Sequence, residues 1–248
     1  MSMQHAWQTQ LQQYAQEHNI NEAGQTFFST YYEDVDSEDL SRLPFSDLVA
    51  AARSHQRTAA MPRLPGHSHV EILQQNASAE FAADETVINI VFDDLPFLID
   101  SLIMLLNRRP QQSGEAKVDM QLLVHPIFTI KRNDQGELQS WSRSRSTDNG
   151  RESWVQIRLN KLTDAHATQL KDEITNMLAT LYKVVSDEGL MRRALSQVTT
   201  QVQQQWHQDN DEVLAFLNWL SGNHFLFMGF CEYDLTQDDE GAQQLAIH

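Results

Sequence analysis

The sequence has 248 residues, 41% of them hydrophobic, which is enough for one large core or two smaller ones. Its 34 acidic and 18 basic residues give a formal net charge of −16 at pH 7. This balance argues against a nucleic-acid partner and against an anionic membrane surface, because both require clustered Lys and Arg. Cys231 is the single cysteine, so an internal disulfide is excluded.

The terminal and apolar segments predict a cytoplasmic protein. The N-terminus mixes apolar residues with many Gln residues and does not resemble a signal peptide. The longest apolar run, around 95–106, is too short to span a bilayer. These features and the lack of disulfides are typical of the cytoplasm.

Residues 1–60 are predicted to form a small helical cap. Trp7, Leu11 and Tyr14 recur at helical spacing, and the aromatic residues of 27–32 repeat the pattern. Two prolines and a glycine follow the cap and predict a loop before the first strand.

The most apolar stretch, 87–109, predicts a strand, an acidic turn and a helix. The run 87–92 is β-branched and aromatic, as expected of a buried strand, and Asp93 and Asp94 end it. Pro96 suits the first turn of a helix, where its missing N–H has no cost. Apolar side chains then cover more than one face of this helix, so neighbouring elements are expected to enclose it.

The order of the predicted elements gives the fold class. Two predicted strands precede each predicted helix. The strands are 70–73 and 87–92 before the helix 96–108, and 120–131 and 153–160 before the helix 164–185. A four-stranded antiparallel sheet with two helices on one face satisfies this order, which is a ferredoxin-like α+β architecture. Pro126 implies an edge or a bulge in the third strand. Residues 133–136 predict a turn, and the Ser- and Arg-rich 140–150 predict an irregular, mobile segment.

The C-terminal third predicts more helices and the beginning of another sheet. Residues 186–189 interrupt the helical stripe, which resumes from Leu190. A strand pattern covers 224–235, and 245–247 begins another strand. Because a two-stranded hairpin alone is marginally stable, 223–248 predicts the start of a second domain.

These patterns divide the chain into four predicted segments. They are a helical cap (1–60), an α+β domain (69–186), connecting helices (187–222) and the start of a truncated second domain (223–248).

The adjacent carboxylates of Asp93 and Asp94 raise the hypothesis of a metal-dependent hydrolase. A Mg²⁺ ion between carboxylates at the end of a strand would support phosphoryl chemistry, with His67 as a further candidate. Adjacent strand residues point to opposite faces, however. Aspartates are also common where a helix begins, so simple strand termination is the structural alternative.

The other candidate groups are isolated in the sequence. His67 and His69 could face one metal ion, but no third ligand accompanies them. His125 is predicted to be a satisfied core histidine, and Cys231 to be an unreactive thiol in a buried strand. No G-x-G-x-x-G, G-K-[ST], H-E-x-x-H or G-x-S-x-G motif occurs, so neither catalysis nor metal binding is predicted for this chain.

Three segments form a combined signature. They are Val-Phe-Asp-Asp-Leu-Pro-Phe-Leu-Ile-Asp-Ser-Leu (91–102), Leu-Val-His-Pro-Ile-Phe (123–128) and Asn-His-Phe-Leu-Phe-Met-Gly-Phe-Cys-Glu-Tyr-Asp-Leu (223–235). In this order they resemble the N-terminal region of the large bacterial NAD-specific glutamate dehydrogenases. The resemblance extends from about Phe27 to the last residues.

The resemblance implies a very long cytoplasmic parent chain that converts L-glutamate, NAD and water to 2-oxoglutarate, ammonia and NADH. Its catalytic and NAD-binding domains would lie beyond residue 248, so no cofactor is expected in this segment. The N-terminal region of the family is described as ACT-like domains, which sense amino acids and regulate enzymes. The segment from about 69 to 186 would be the first of these, and its partners would be other domains and subunits of the dehydrogenase.

One departure from the family pattern concerns the effector loop. The usual loop reads Asp-x-Pro-Gly-Leu, whereas this chain has Asp-Leu-Pro-Phe-Leu at 94–98. Phe97 replaces the glycine and would fill the space through which a ligand approaches the backbone. The candidate effector-binding residues are Asp93, Asp94, Leu95, Pro96, Phe97, Asp100 and Ser101.

Two functions are therefore predicted as alternatives. The first is a non-catalytic regulatory and assembly segment that binds an amino acid near Asp94. The second is a structural oligomerisation module without a ligand, which would use an exposed sheet edge or the helices of 190–220.

Overall fold

The computed structural model describes residues 3–74, 85–108, 118–144, 150–205, 211–237 and 243–247. Part of the predicted irregular segment 140–150 lies outside these ranges. The chain divides into two compact units, 1–179 and 180–248.

An antiparallel sheet of six strands forms the centre of the first unit. The strands are β1 His69–Gln74, β2 Glu85–Asp93, β3 Met120–Val124, β4 Ile127–Arg132, β5 Leu138–Ser142 and β6 Gly150–Asn160. Their order is β1-β2-β6-β4-β5, and β3 also pairs with β6. Because β2 and β3 both lie antiparallel to β6, the helix between them makes the split crossover of the predicted ferredoxin-like fold. The predicted α+β fold class is confirmed.

Two details of the predicted strands differ from the structure. The third strand is divided into β3 and β4 at His125–Pro126, because proline has no N–H to donate to a ladder. The prediction that 140–150 is irregular is wrong for its first residues, since β5 pairs with β4 across the predicted turn at 133–136. Backbone pairing with β4 stabilises this polar segment, although its composition resembles a loop.

Helices lie before, between and after the strands of this sheet. They are α1 Met3–Glu17, α2 Glu22–Tyr31, α3 Ser37–Ser41, α4 Phe45–Ala60, α5 Leu98–Arg108, α6 Asp164–Gln205 and α7 Asp211–Trp219. The predicted interruption at 186–189 is wrong, because α6 is one helix of 42 residues. A single Gly189 costs a helix only about 1 kcal/mol, and Ser186 satisfies its hydroxyl by donating to the Lys183 carbonyl at 3.0 Å.

Helices α1–α4 cover one face of the sheet. They share a core with β2, β3, β4 and β6, and the indole of Trp154 lies at its centre. The Trp154 ring centroid is 4.7 Å from that of Phe128 and 6.4 Å from that of Phe27. Alternation along β6 turns Val155 and Ile157, both fully buried, to the opposite face. Leu98, Leu102 and Leu106 of α5 and Leu170 and Leu178 of α6 are buried as well.

A polar layer joins the cap to the sheet inside this core. The Tyr31 hydroxyl lies 2.7 Å from His55 Nδ1, and His55 Nε2 lies 3.0 Å from the Ile90 carbonyl. Because a carbonyl can only accept, Nε2 carries the proton and Nδ1 accepts from Tyr31. Asn89 donates to the Ser54 hydroxyl at 2.9 Å and accepts from Gln156 at 2.7 Å. These bonds fix α4 in register over β2 and β6.

The second unit contains the rest of α6, α7, a short π-helical turn Leu220–His224 and a hairpin of β7 Tyr233–Gln237 with β8 Gln243–Ile247. The predicted strand at 224–235 is wrong before Tyr233, because β8 offers a pairing partner only from there. Cys231 is exposed and not in a buried strand as predicted. Many large apolar side chains of this unit are also exposed, among them Leu190, Phe216, Trp219, Phe225, Met228, Phe230, Leu235 and Leu245.

A tight contact at Gly136 gives a first testable prediction. Gly136 has φ +81°, and a Cβ there would lie 2.7 Å from the Arg63 carbonyl oxygen. We expect Gly136→Ala to lower the free energy of unfolding by roughly 2 kcal/mol or more, because it adds backbone strain to a backbone clash. Gly150→Ala is the control, since no atom of the described residues lies within 4 Å of its added Cβ. Urea unfolding measures both, and equal stability of the two variants would contradict the prediction.

Candidate functional site

The turn between β2 and α5 holds the residues predicted to bind an effector. β2 ends at Asp93, and α5 begins at Leu98. Phe97 has φ +65°, in the left-handed region that costs a residue with a side chain about 1–2 kcal/mol. Its carbonyl accepts from the Ser101 N–H at 2.9 Å, which starts the helix. Phe97 therefore adopts a glycine-type conformation at the position where the ACT loop carries glycine.

Phe97 is 45% exposed, and Pro96 beside it is exposed as well. Asp100 is exposed in the first turn of α5, and Leu95 and Ser101 are half-buried. Whether the Phe97 ring excludes an effector stays a prediction, as does the binding role of the whole set.

The carboxylates of Asp93 and Asp94 point to opposite faces of the sheet. Asp93 accepts from Arg63 Nη2 at 2.9 Å and from the Gly66 N–H at 2.6 Å. Asp94 accepts from the Ser153 hydroxyl at 2.9 Å and pairs with Arg151 at 3.2 Å. The two acids therefore have separate partners and do not face a common cation, which argues against the hydrolase hypothesis.

The two histidines of the H-x-H pair each contact a loop carbonyl. His67 Nδ1 lies 3.3 Å from the Pro65 oxygen, and His69 Nε2 lies 3.0 Å from the Pro62 oxygen. A ring nitrogen facing a carbonyl carries the proton, so neither of these nitrogens offers a lone pair to a metal. In the described part of the chain, no group of three or more His, Cys, Asp or Glu residues is arranged to hold a metal ion.

A buried ionic cluster lies directly behind the turn, on the cap side of the sheet. Glu152, only 2% exposed, pairs with Arg63 and with Arg132, each at 2.7 Å. Burial alone would raise the pKa of Glu152, but the hydrogen bond from Arg132 and the charge of Arg63 outweigh it and lower that pKa. Burial favours a lower pKa for Arg63, but hydrogen bonds and charges from Asp93 and Glu152 raise it.

The same two guanidinium groups hold the loop between the cap and β1. Arg63 Nη1 donates to the His67 carbonyl at 2.9 Å. Arg132 donates to the carbonyls of Ala59 at 2.8 Å and Met61 at 3.0 Å. The cluster is a structural clamp. The sequence analysis did not identify this cluster. The available signal was strand alternation, which places Glu152 on the same face as Trp154 and Ser153 on the other.

A small polar cavity lies near the other acid of the turn. It has a volume of about 170 Å³ and is lined by Asp34, Ile127, Thr129, Arg143 and Arg151. Arg151 also pairs with Asp94, so the cavity is linked to the turn.

His125 differs from its prediction. Its Nε2 is buried and has no hydrogen-bond partner among the described residues, so it is not a satisfied core histidine. Burial lowers the pKa of His125, and the negative charges of Asp94 and Asp34 partly oppose this effect.

The fold and the turn define the class of protein as an ACT-like α+β domain with an N-terminal helical cap. The family model described as "Glutamate dehydrogenase, ACT1 domain" matches residues 27–174. This is more than half of the chain, so the chain belongs to this family.

Two named relatives are similar over most of the chain. The NAD-specific glutamate dehydrogenase of Halomonas elongata is 27% identical over 231 residues, which is 89% of this chain and 14% of the relative. The NAD-specific glutamate dehydrogenase of Pseudomonas aeruginosa is 24% identical over 254 residues, or 98% of this chain and 15% of the relative. The chain thus spans about a seventh of the length of these relatives.

None of the described helices is long and apolar enough to cross a membrane.

Proposed function

We propose that this chain is the non-catalytic regulatory and assembly segment of an NAD-dependent glutamate dehydrogenase. The family match over 27–174 carries the proposal. The similarity to only about a seventh of each relative supports a role separate from catalysis. The parent enzyme would act in the cytoplasm and convert L-glutamate, NAD and water to 2-oxoglutarate, ammonia and NADH.

The regulatory part of the proposal is that the turn between β2 and α5 senses an amino acid. The left-handed backbone at Phe97 supports it, because this conformation is kept although the residue is not glycine. Strain of this kind persists where the surrounding structure enforces it, often at ligand sites. An effector would regulate the parent only by binding one domain arrangement more tightly than another.

Thermal unfolding of the chain with a panel of L-amino acids tests this role. A ligand at a hundredfold excess over its dissociation constant should add about 2.7 kcal/mol to the free energy of unfolding. We expect one amino acid to give such a shift and Asp94→Ala to abolish it. Phe97→Gly relieves backbone strain and opens the space beside the turn, so it should keep or enlarge the shift.

Asp39→Asn is the matched control, because Asp39 on α3 is a half-exposed acid that pairs with Arg42. Each variant is compared with its own ligand-free state, since Asp94→Ala also removes the bonds to Ser153 and Arg151. Absence of a shift with every amino acid in every variant would contradict sensing. Formation of NADH from glutamate by the 248-residue chain alone would contradict the non-catalytic role.

The alternative function is structural oligomerisation without a ligand. The exposed apolar side chains of the second unit favour it, because contiguous apolar surface often marks a contact with another protein. Sedimentation would then give a dimer or larger assembly whose association is unchanged by any amino acid.

A further inference from the structure

One face of α5 carries large apolar side chains that remain exposed. Met104, in the middle of the helix, is 50% exposed, and Phe97, directly before the first residue of the helix, is 45% exposed. Ile103 and Leu105 beside Met104 are only half-buried. The sequence pattern predicts that neighbouring elements enclose this helix, but within the described part of the chain only three of its leucines are buried.

The backbone of Phe97 is a second observation at the same face. Its φ of +65° lies in the left-handed region, which is unfavourable for a residue with a side chain. Almost half of the residue stays exposed, so burial within this chain does little to offset the strain. Burial of the ring against another protein would offset it, because large aromatic side chains dominate the energetics of interfaces.

Two opposite charges flank Met104 on this face. Asp100 lies four residues before it and Arg108 four residues after it, and both are exposed. Residues four apart lie on the same face of an α-helix, and each charge is about 6 Å from Met104 along the axis. Among the described residues, neither charged side chain has an ion-pair partner. The exposed face therefore reads acid, methionine, base along the helix.

We propose that this face of α5 is an interface between two copies of the chain, with the two helices antiparallel and a two-fold axis at Met104. Met104 then contacts its own symmetry mate. Asp100 of each copy faces Arg108 of the other, because the two residues are equally far from Met104 in opposite directions. The inference deepens the assembly part of the proposed function, on which it rests, and is independent of amino-acid sensing.

The charge pattern selects a second copy in this orientation. Parallel helices would place Asp100 against Asp100 and Arg108 against Arg108, and such like-charge contacts are unfavourable. A purely apolar partner would cover both charged groups without offering either of them a partner, which is costly. The antiparallel face is complementary to itself, as a two-fold interface requires.

The apolar surface continues beside the helix. A groove of about 180 Å³ lies at the C-terminal half of α5 and the start of β3, and Met120 in its wall is 42% exposed. Its lining mixes apolar and polar side chains, namely Ile103, Leu106, Asn107, Val118, Asp119 and Met120. Because Phe97 lies at the N-terminal end of α5, the antiparallel arrangement brings Phe97 of one copy toward this groove in the other. Two such contacts extend the interface on both sides of the axis.

Sedimentation velocity of the 248-residue chain is the first test. An interface built on a helix of 11 residues is small, and small interfaces give weak complexes. A protein concentration range of about 1–500 µM covers the dissociation constants of such complexes. We expect the sedimentation coefficient to rise with concentration from that of a monomer to that of a dimer.

Exchange of the two charges tests the antiparallel pairing. Asp100→Arg alone places arginines opposite each other, and Arg108→Asp alone places aspartates opposite each other. We expect each variant to dimerise at least about tenfold more weakly than the wild type. An equimolar mixture of the two variants re-forms both opposite-charge pairs, so a heterodimer should form with an affinity close to that of the wild type.

The matched control for the charge variants is Asp134→Arg. Asp134 is an exposed acid in the turn between β4 and β5, so its replacement makes the same change of charge away from α5. Dimerisation should be unchanged in this variant. Circular dichroism confirms that each variant is folded.

A cross-link locates the axis. Cys231 is the single native cysteine, so Met104→Cys in a Cys231→Ser background leaves one thiol in each chain. A two-fold axis at position 104 brings the two introduced thiols together, and oxidation with diamide should give a disulfide-linked dimer. Asp134→Cys in the same background is the control and should remain monomeric on a denaturing gel.

The outcomes distinguish this interface from the proposed function. If dimerisation ignores both charge variants and is lost in Phe216→Glu, an exposed position of the second unit, the α5 interface is overturned and assembly is retained. A mixture of charge variants that does not dimerise, while the wild type does, overturns the antiparallel pairing. A monomer at every concentration overturns both the interface and self-assembly of this segment, and leaves amino-acid sensing to its own test.

Discussion

Replacement of Glu152 by Gln should lower the free energy of unfolding by about 3–5 kcal/mol, the usual cost of removing one partner from a buried ion pair. Glu152 is 2% exposed and is the shared acceptor for Arg63 and Arg132. The indole N–H of Trp154 also donates to it at 3.3 Å. The amide of Gln would point its own donors at two guanidinium groups.

The control for this variant is Glu137→Gln. Glu137 is exposed and accepts from the Asn133 side chain at 2.7 Å, so its replacement should change stability by no more than about 0.5 kcal/mol. Guanidinium unfolding at pH 7 measures both variants. A loss below about 1 kcal/mol in Glu152→Gln would show that the cluster is dispensable.

The same residue predicts part of the acid sensitivity. The pKa of Glu152 is lower in the folded chain than its ordinary value of 4.5. Its stabilising contribution is therefore complete above pH 4.5 and is lost as the pH falls through the folded pKa. Glu152→Gln should lack this component of the acid transition, and the two chains should converge in stability at low pH.

Acidification should also destabilise the chain through His55, by on the order of 5 kcal/mol at full effect. Burial lowers the pKa of His55 from 6.5 to about 3, and the bond to the Ile90 carbonyl only partly offsets it. The unfolded chain binds a proton below pH 6.5, but the folded chain does so only near pH 3. Stability therefore falls as the pH falls between these two values, by about 1.4 kcal/mol per pH unit.

Urea unfolding of the wild type and His55→Gln between pH 6 and pH 4 measures this effect. The wild-type slope of stability against pH should be steeper by about 1.4 kcal/mol per unit, because the variant has no such proton. Tyr31→Phe is the control. It removes the hydroxyl that bonds to His55 but keeps the buried imidazole, so it should be less stable at pH 7 with nearly the wild-type slope. Parallel slopes for wild type and His55→Gln would contradict the prediction.

Apolar periodicity predicted the parts of the fold that depend on burial. The β-branched run at 87–92 is β2, and the opposite directions of Asp93 and Asp94 follow from the alternation of a strand. The predicted fold class and the family resemblance agree with the structure and with the family match.

Features that depend on distant partners were missed. Arginine and glutamate are usually found at protein surfaces. Arg63, Arg132 and Glu152 become a buried cluster only because three separate segments of the chain come together. The edge strand β5 is polar and becomes a strand only through its ladder with β4. The cavity combines residues from 34 to 151, so no local pattern indicates it.

The polar layer between α4 and β6 has a consequence for synthesis of the chain. Gln156 donates to the Ala51 carbonyl at 2.9 Å, and 105 positions separate the two residues. At about 5–20 residues per second, ribosomes would need roughly 5–20 s to deliver β6 after α4 has been made. During that interval the aromatic face of the cap has no sheet to cover it. The nascent chain should therefore be most dependent on chaperones, and most prone to aggregation, while residues 61–156 are being translated.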